Sequence, residues 1–196
     1  MNRDGERILD EYLALSSRAG SRAAFEELAR RWTPRLLRYA ARVLGPGRDS
    51  ADAVREVVQD TWLGAIRGLN RLDDPARFPA WIYSIATRKC ADAVRAAVRR
   101  RRVDARLESD AAAQASGHAD DGRDAALDLH AAIARLPEHE RGVVHLYYGE
   151  DLGVAEIAAV LGVPEGTVKS RLHHARDVLA RFLEPVSAVG RIGRAS

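Results

Sequence analysis

Apolar residues recur at intervals of three and four from one end of this chain to the other, and no segment sustains the period-two alternation of a strand. The pattern predicts an all-α protein. Ile8, Tyr12, Leu13 and Leu15 mark a first short helix, and residues 16–21 a turn. From Arg22 the run Phe25, Leu28, Trp32, Leu36, Leu37, Ala40, Val43 and Leu44 keeps helical spacing, with Pro34 bending or dividing it, until Gly45-Pro46-Gly47 breaks the chain. Asp49 or Ser50 can cap the next helix, Ala51 to about Arg67. That helix buries Val54, Val57, Val58, Thr61, Trp62 and Ala65 and turns Arg55, Glu56, Gln59, Asp60 and Leu63 outward. Leu63 among polar neighbours marks either a protein contact or a singly exposed leucine.

A loop rich in turn formers, residues 68–79, leads to a long helix from Ala80 to about Arg102. Trp81, Ile82, Ile85 and Ala86 are its packing positions. Arg88, Arg95, Arg99 and Arg102 follow at intervals of seven, four and three, one basic stripe about 20 Å long. The run 99–102 has no interleaved acid, which suits phosphate contacts better than a plain solvated face. Over 103–124 the composition changes: Asp104, Glu108, Asp110, Asp120, Asp121 and Asp124 stand against Arg106 and Arg123, six acids to two bases, among Ala, Ser and Gly. This stretch reads as a flexible acidic linker between a domain at 1–102 and another at 125–184. The second block holds helices from Ala125 to Leu136 and from Pro137 to about Tyr148, then two more, and residues 185–196 read as a disordered tail.

Those last two helices, Gly153 to Leu179, carry the clearest local pattern. Ile157, Val160 and Leu161 form one apolar stripe, and Val168, Leu172, Ala175 and Leu179 another. Gly162 permits a left-handed stop, and Pro164 suits the start of the next helix. Burying Val168 and Leu172 turns Ser170, His173 and His174 outward, with Lys169 and Arg171 on the flanks. A helical hairpin would share the pattern, but an apolar back, a polar front and flanking cations are what a helix-turn-helix reader of DNA requires.

Composition narrows the setting. Hydrophobic residues are 46% of 196, enough for real cores, and the net charge is only +3, so the distribution of charge matters more than its sum. Cys90 is the only cysteine, which excludes an internal disulfide or a cysteine-rich zinc site and suits a reducing cytoplasm. No signal-peptide core and no run of eighteen apolar residues occurs. His118, His130, His139, His145, His173 and His174 form no His-Glu-x-x-His helix, and no phosphate-cradling glycine loop occurs, so neither a metal nor a cofactor nor a catalytic residue is expected.

Two helical blocks, the first ending in a basic helix and the second in a helix-turn-helix, resemble the extracytoplasmic-function (ECF) class of bacterial RNA polymerase sigma factors in the sigma-70 family. The likeness rests on Glu56-Val-Val-Gln-Asp60-Thr-Trp62-Leu-Gly-Ala65 and Phe78-Pro-Ala-Trp81-Ile-Tyr-Ser-Ile85-Ala-Thr-Arg88 for region two. For region four it rests on Leu136-Pro-Glu138, Glu156-Ile-Ala-Ala and Gly162-Val-Pro-Glu-Gly-Thr167-Val-Lys-Ser170-Arg-Leu. The resemblance implies a promoter-specificity subunit, not an enzyme, that binds core polymerase and promoter DNA and is restrained by an anti-sigma factor. It implies that Glu56, Gln59, Asp60 and Leu63 meet the clamp helices of the largest polymerase subunit, and that the second domain meets the flap of the second-largest. Asn70, Leu72, Arg88, Arg95, Arg99 and Arg102 would take the unwound minus-ten strand, with flipped bases in small pockets. Gly166, Thr167, Lys169, Ser170, Arg171, His173, His174 and Arg176 would meet the upstream minus-thirty-five duplex. The acidic linker would thread toward the RNA exit path.

Departures from the family pattern bear on promoter sequence. Leu72 stands where an aromatic residue is common, Arg88 where asparagine is common, and Gly153 replaces the usual serine cap. His174 stands where arginine is frequent, which makes a contact there sensitive to pH. A stand-alone helix-turn-helix regulator of LuxR-like type would explain Gly153 to Leu179 but leaves Glu56 to Arg102 without a task.

Overall fold

A computed structural model describes residues 3–45, 50–108, 132–133 and 135–189, and every regular element among them is helical. Most of the expected linker, 109–124, most of the expected helix at 125–136, and residues 190–196 lie outside the described residues.

The first helix, α1 (Arg3–Arg18), buries Leu13 and Ala14 but leaves Ile8, Tyr12 and Leu15 exposed. Of the four apolar residues that marked it, only Leu13 reaches the core. The buried face instead carries Asp10, which Arg31 Nε holds at 2.9 Å and Arg35 Nη1 approaches at 3.8 Å. Both arginines belong to α2 (Arg22–Leu44), whose first turn is capped by Ser21 accepting from the Ala24 N–H at 3.3 Å. This helix runs through Pro34 undivided, because Pro34 falls on its solvent side and only one ladder hydrogen bond is lost.

Next, α3 (Ser50–Gly68) buries Val54, Val57, Val58, Thr61 and Ala65, as its periodicity requires. The loop at 68–79 holds two short 3₁₀ turns, Leu69–Arg71 and Pro75–Arg77, where the sequence suggested no element. Leu69 and Leu72 anchor the first in the core, and the Asp74 carboxylate accepts from the Ala76 N–H at 3.0 Å to start the second. The long helix, α4 (Phe78–Glu108), begins two residues before Ala80 and continues six beyond Arg102. Phe78 starts it because its ring packs edge-on against Trp32 with centroids 5.3 Å apart, beside Tyr83 at 5.8 Å from the same ring.

In the second block, α5 (Glu138–Val144) widens into a π-type turn over His145–Gly149, where the Glu150 N–H bonds the His145 carbonyl five residues back. Then come α6 (Val154–Leu161) and α7 (Glu165–Val189), which passes Glu184, where the helical domain was expected to end. Gly162 between them adopts φ 65°, the left-handed conformation the sequence demanded of it.

The two blocks are pressed together. Val143, Leu146, Leu152, Ile157, Val160, Val168 and Leu172 from the second share one continuous core with Leu36, Tyr39, Tyr83 and Cys90 from the first. Each large side chain buried there contributes about 1.5–3 kcal/mol. The seam is also charged. Arg35 Nε donates to Glu150 Oε2 at 2.8 Å, Arg42 bonds His145 Nδ1, and the His145 ring lies 5.6 Å from that of Tyr39. His145 Nε2 stands 3.4 Å from Glu150 Oε1, with both side chains almost wholly buried. Burial alone would raise the Glu150 carboxyl, but His145 and Arg35 outweigh it and hold the group below the usual carboxylate range.

Candidate nucleic-acid and polymerase interfaces

The last helix, α7, seats itself by burying Val168, Leu172 and Ala175, spaced four and three apart. This leaves Gly166, Lys169, Ser170, His173, His174 and Arg176 exposed and Thr167 and Arg171 half-buried. The exposed set divides in two. Toward the N-terminal end, Lys169 and Ser170 face solvent, and the Ser170 hydroxyl donates to the Thr167 carbonyl at 3.0 Å, which leaves its lone pairs to accept. Further along, each polar group is held by protein. His173 Nδ1 lies 3.2 Å from Asp177 Oδ2, His174 Nδ1 lies 2.8 Å from Glu140 Oε1, and Arg176 Nε donates to the Tyr148 hydroxyl at 2.7 Å. That hydroxyl also holds Arg176 more firmly in its charged form.

A second surface forms where α3 and α4 approach each other. A cleft of about 360 Å³ is lined by Gly64, Gly68, Arg71, Trp81, Ile85, Arg88, Lys89 and Asp92. The glycines set its depth: a Cβ on Gly64 would come within 3.0 Å of Ile85 Cγ2, and one on Gly68 within 3.2 Å of Trp81 Cζ2. On the rim, Lys89 Nζ lies 3.2 Å from Asp60, and Arg95 Nη2 lies 2.6 Å from Asp92. Arg71, Arg88 and Arg99 are exposed. An indole and two arginines around an open cleft of this size can stack a nucleobase and hold its phosphates.

The expected strand-binding residues are not all brought to this cleft. Arg88 lines it, Arg95 and Arg99 continue along the same face of α4, and the Arg102 side chain lies outside those described. Asn70 is exposed on the loop. Leu72 is turned inward and only 5% exposed, so it is a core residue and offers no face to a base. The cleft also takes in Arg71, which the sequence left unassigned, and Trp81, which it assigned to packing. The signal was present: Trp81, Ile85, Arg88, Asp92, Arg95 and Arg99 are spaced four, three, four, three and four, a single helix face.

On α3, Glu56 and Gln59 are exposed and Asp60 is half-buried against Lys89. Leu63 is 43% exposed, and Ile66, three residues on and not foreseen, is 60% exposed. Two large apolar side chains on one face of one helix make a contact surface better than Leu63 alone. Among the described residues, no three His, Cys, Asp or Glu side chains are grouped to hold a metal ion, and no helix is long and apolar enough to cross a membrane.

Comparison with known proteins follows the same two-part order. The family model of sigma-70 region 2 matches residues 28–100, and that of sigma-70 region 4 matches residues 126–179. The ECF RNA polymerase sigma factor SigM of Mycobacterium tuberculosis is 34% identical over 89% of this chain and 84% of its own length. The RNA polymerase sigma factor CarQ of Myxococcus xanthus is 32% identical over 85% of this chain and 92% of its own. Among solved structures, CnrH in complex with the cytosolic domain of CnrY aligns with a TM-score of 0.61 at 28% identity, over 90% of this chain and 98% of the other. RpoE of Bartonella quintana, solved with the anti-sigma factor NepR, has the same fold at a TM-score of 0.60 and 21% identity, over 87% and 98%. Carrying both regions in order across most of its length, the chain belongs to the extracytoplasmic-function class of sigma-70 family RNA polymerase sigma factors.

Proposed function

We propose that this sigma factor binds core RNA polymerase and places it on promoters through two DNA-reading surfaces, one for a single strand and one for a duplex. The observation that carries the reading is the presence, in one molecule, of the α3–α4 cleft and the α7 face within the two matched regions. The α3 face of Glu56, Gln59, Asp60, Leu63 and Ile66 meets the clamp helices of the largest subunit, and the second block meets the flap of the second-largest. Unstacking a minus-ten base costs a few kcal/mol. Stacking on Trp81, at about 1–3 kcal/mol per base, offsets much of that, with Arg71, Arg88, Arg95 and Arg99 on the phosphates. Asn70 borders this path, and Arg102 extends it. The N-terminal turns of α7 enter the major groove of the upstream element, where Gly166 and Thr167 allow close backbone approach, Lys169 and Arg171 reach phosphate or guanine, and Ser170 faces base edges.

In this reading the protein is not itself an enzyme and works in the cytoplasm, the acidic 103–124 segment tethers the two halves, and an anti-sigma factor restrains it. The test is reconstitution with core polymerase and start-site mapping after overexpression. A shared promoter motif upstream of the new starts, with initiation on it in vitro, is the expected result. Absence of both a complex by gel filtration and initiation on any genomic promoter would sink the proposal. Dimeric binding to a palindromic duplex without polymerase would instead support the stand-alone regulator.

A further inference from the structure

Beneath the reading helix sits a carboxylate that no part of the two-surface grip requires. Glu140, on α5, is 4% exposed. Its Oε1 lies 2.8 Å from His174 Nδ1 and 3.7 Å from His139 Nε2, and its Oε2 has no hydrogen-bond partner among the described residues. Most other described charged groups on the elements packed here have partners elsewhere, Arg176 with the Tyr148 hydroxyl among them. On α5, Arg141 reaches the Val43 carbonyl at 3.4 Å. On α6, Glu156 caps the Gly153 N–H at 2.8 Å. On α7, His173 faces Asp177, and Arg171 lies one turn before His174. Arg135 lies over the Phe182 ring, 4.7 Å from its centroid.

Bonding through Nδ1 leaves Nε2 as the other end of the His174 ring, on a side chain 56% exposed beside Ser170 and Arg171. A neutral ring donating through Nδ1 presents an acceptor at Nε2, whereas a ring carrying both protons presents a donor. With both protons the Glu140–His174 contact becomes an ion pair, the state in which a buried carboxylate is best matched. One proton therefore completes the brace under α7 and gives its outer surface a donor for phosphate or guanine.

We propose that Glu140 is a positioning residue for duplex reading: it orients the His174 ring with Nε2 outward and makes that nitrogen a proton-dependent donor to the upstream element. The inference rests on the reading of α7 as a major-groove helix and adds to it a coupling between proton uptake and DNA affinity. Binding strengthens as pH falls, because the added ring proton supplies the donor.

The experiment is fluorescence anisotropy with the full chain and a duplex bearing the upstream element found by start-site mapping, at pH 8 and pH 6 and constant salt. The wild type is expected to gain about tenfold, the effect of one charge-assisted hydrogen bond. Glu140→Gln keeps the shape and an acceptor for Nδ1 but lacks the charge, and its gain is expected to fall below about threefold. His174→Arg should bind tightly at both pH values without a gain, and it carries the test if Glu140→Gln does not fold. A full gain retained in Glu140→Gln, or in His174→Asn, would overturn the inference and leave the reading of α7 intact. No duplex binding by the wild type at either pH, alone or with core polymerase, would overturn both.

Discussion

Gly45 shows how much a single position can be asked to do. Its φ of 72° is left-handed, it ends α2, and a Cβ there would lie 2.7 Å from Arg141 Nη1 of the second block. Gly45→Ala should therefore destabilise the protein by about 1–3 kcal/mol, seen as a lower thermal midpoint, although the site touches no proposed DNA surface. Arg88 and Arg71 present the opposite case. Both are exposed at the cleft rim, so replacing either with Ala should leave stability unchanged and weaken binding to a single-stranded minus-ten oligonucleotide about tenfold. Equal losses on duplex DNA would mean the cleft is only a general phosphate contact. Leu72 marks where the family resemblance misleads: it implied a contact with the minus-ten strand, yet the loop needs apolar anchors in the core, and Leu69 and Leu72 supply them.

At the scale of elements, α3 and α7 each bury one stripe and present another. On α3 the outward stripe carries Leu63 and Ile66. Leu63→Glu with Ile66→Glu should abolish co-elution with core polymerase while thermal stability changes by less than about 0.5 kcal/mol, since neither side chain is in the core. Loss of stability together with binding would show that the face is structural. On α7, His173 is tied to Asp177 of the same helix, while His174 and Arg176 are tied to Glu140 and Tyr148, so the helix is steered from below by those two residues of the preceding segment. That steering was invisible in the sequence, because Glu140 and His174 are thirty-four positions apart and only the packing of α5 on α7 brings them together.

For the whole molecule, the closed seam and the proposed function pull in opposite directions. Elements centred near minus-ten and minus-thirty-five are about 25 base pairs apart, roughly 85 Å at 3.4 Å per step. A compact chain of 196 residues has a radius of gyration of only about 16 Å. Gripping both elements therefore requires the blocks to part, and the Arg35–Glu150 pair must break when they do. Glu150→Gln should lower the cost of parting by about 2–4 kcal/mol, raise the radius of gyration in solution scattering and tighten core binding. Unchanged scattering and affinity would show that the pair does not hold the seam. The pH dependence has a definite sign. Because the carboxyl of Glu150 is held below its ordinary 4.5, its contribution to the closed form is complete above that value and is lost as pH falls through the lowered one. Acid should loosen the wild type below about pH 4.5, and the Gln variant should lack this component of the loss.

Much of this was legible in the chain. Periods of three and four are local properties, so the helices, the Gly162 turn, the α7 stripe and the basic face of α4 follow from spacing alone. The ordered motifs placed the two regions. What spacing does not encode is which of two amphipathic faces finds a partner: α1 turns Ile8, Tyr12 and Leu15 outward and Asp10, paired with Arg31 and near Arg35, inward. Nor does it encode contacts between distant segments. The fused core, the Glu150 seam, the α3–α4 cleft and the Glu140 brace each join residues far apart in sequence. Only tertiary packing selects those pairs, since each depends on the buried surface and matched charge of elements that already exist.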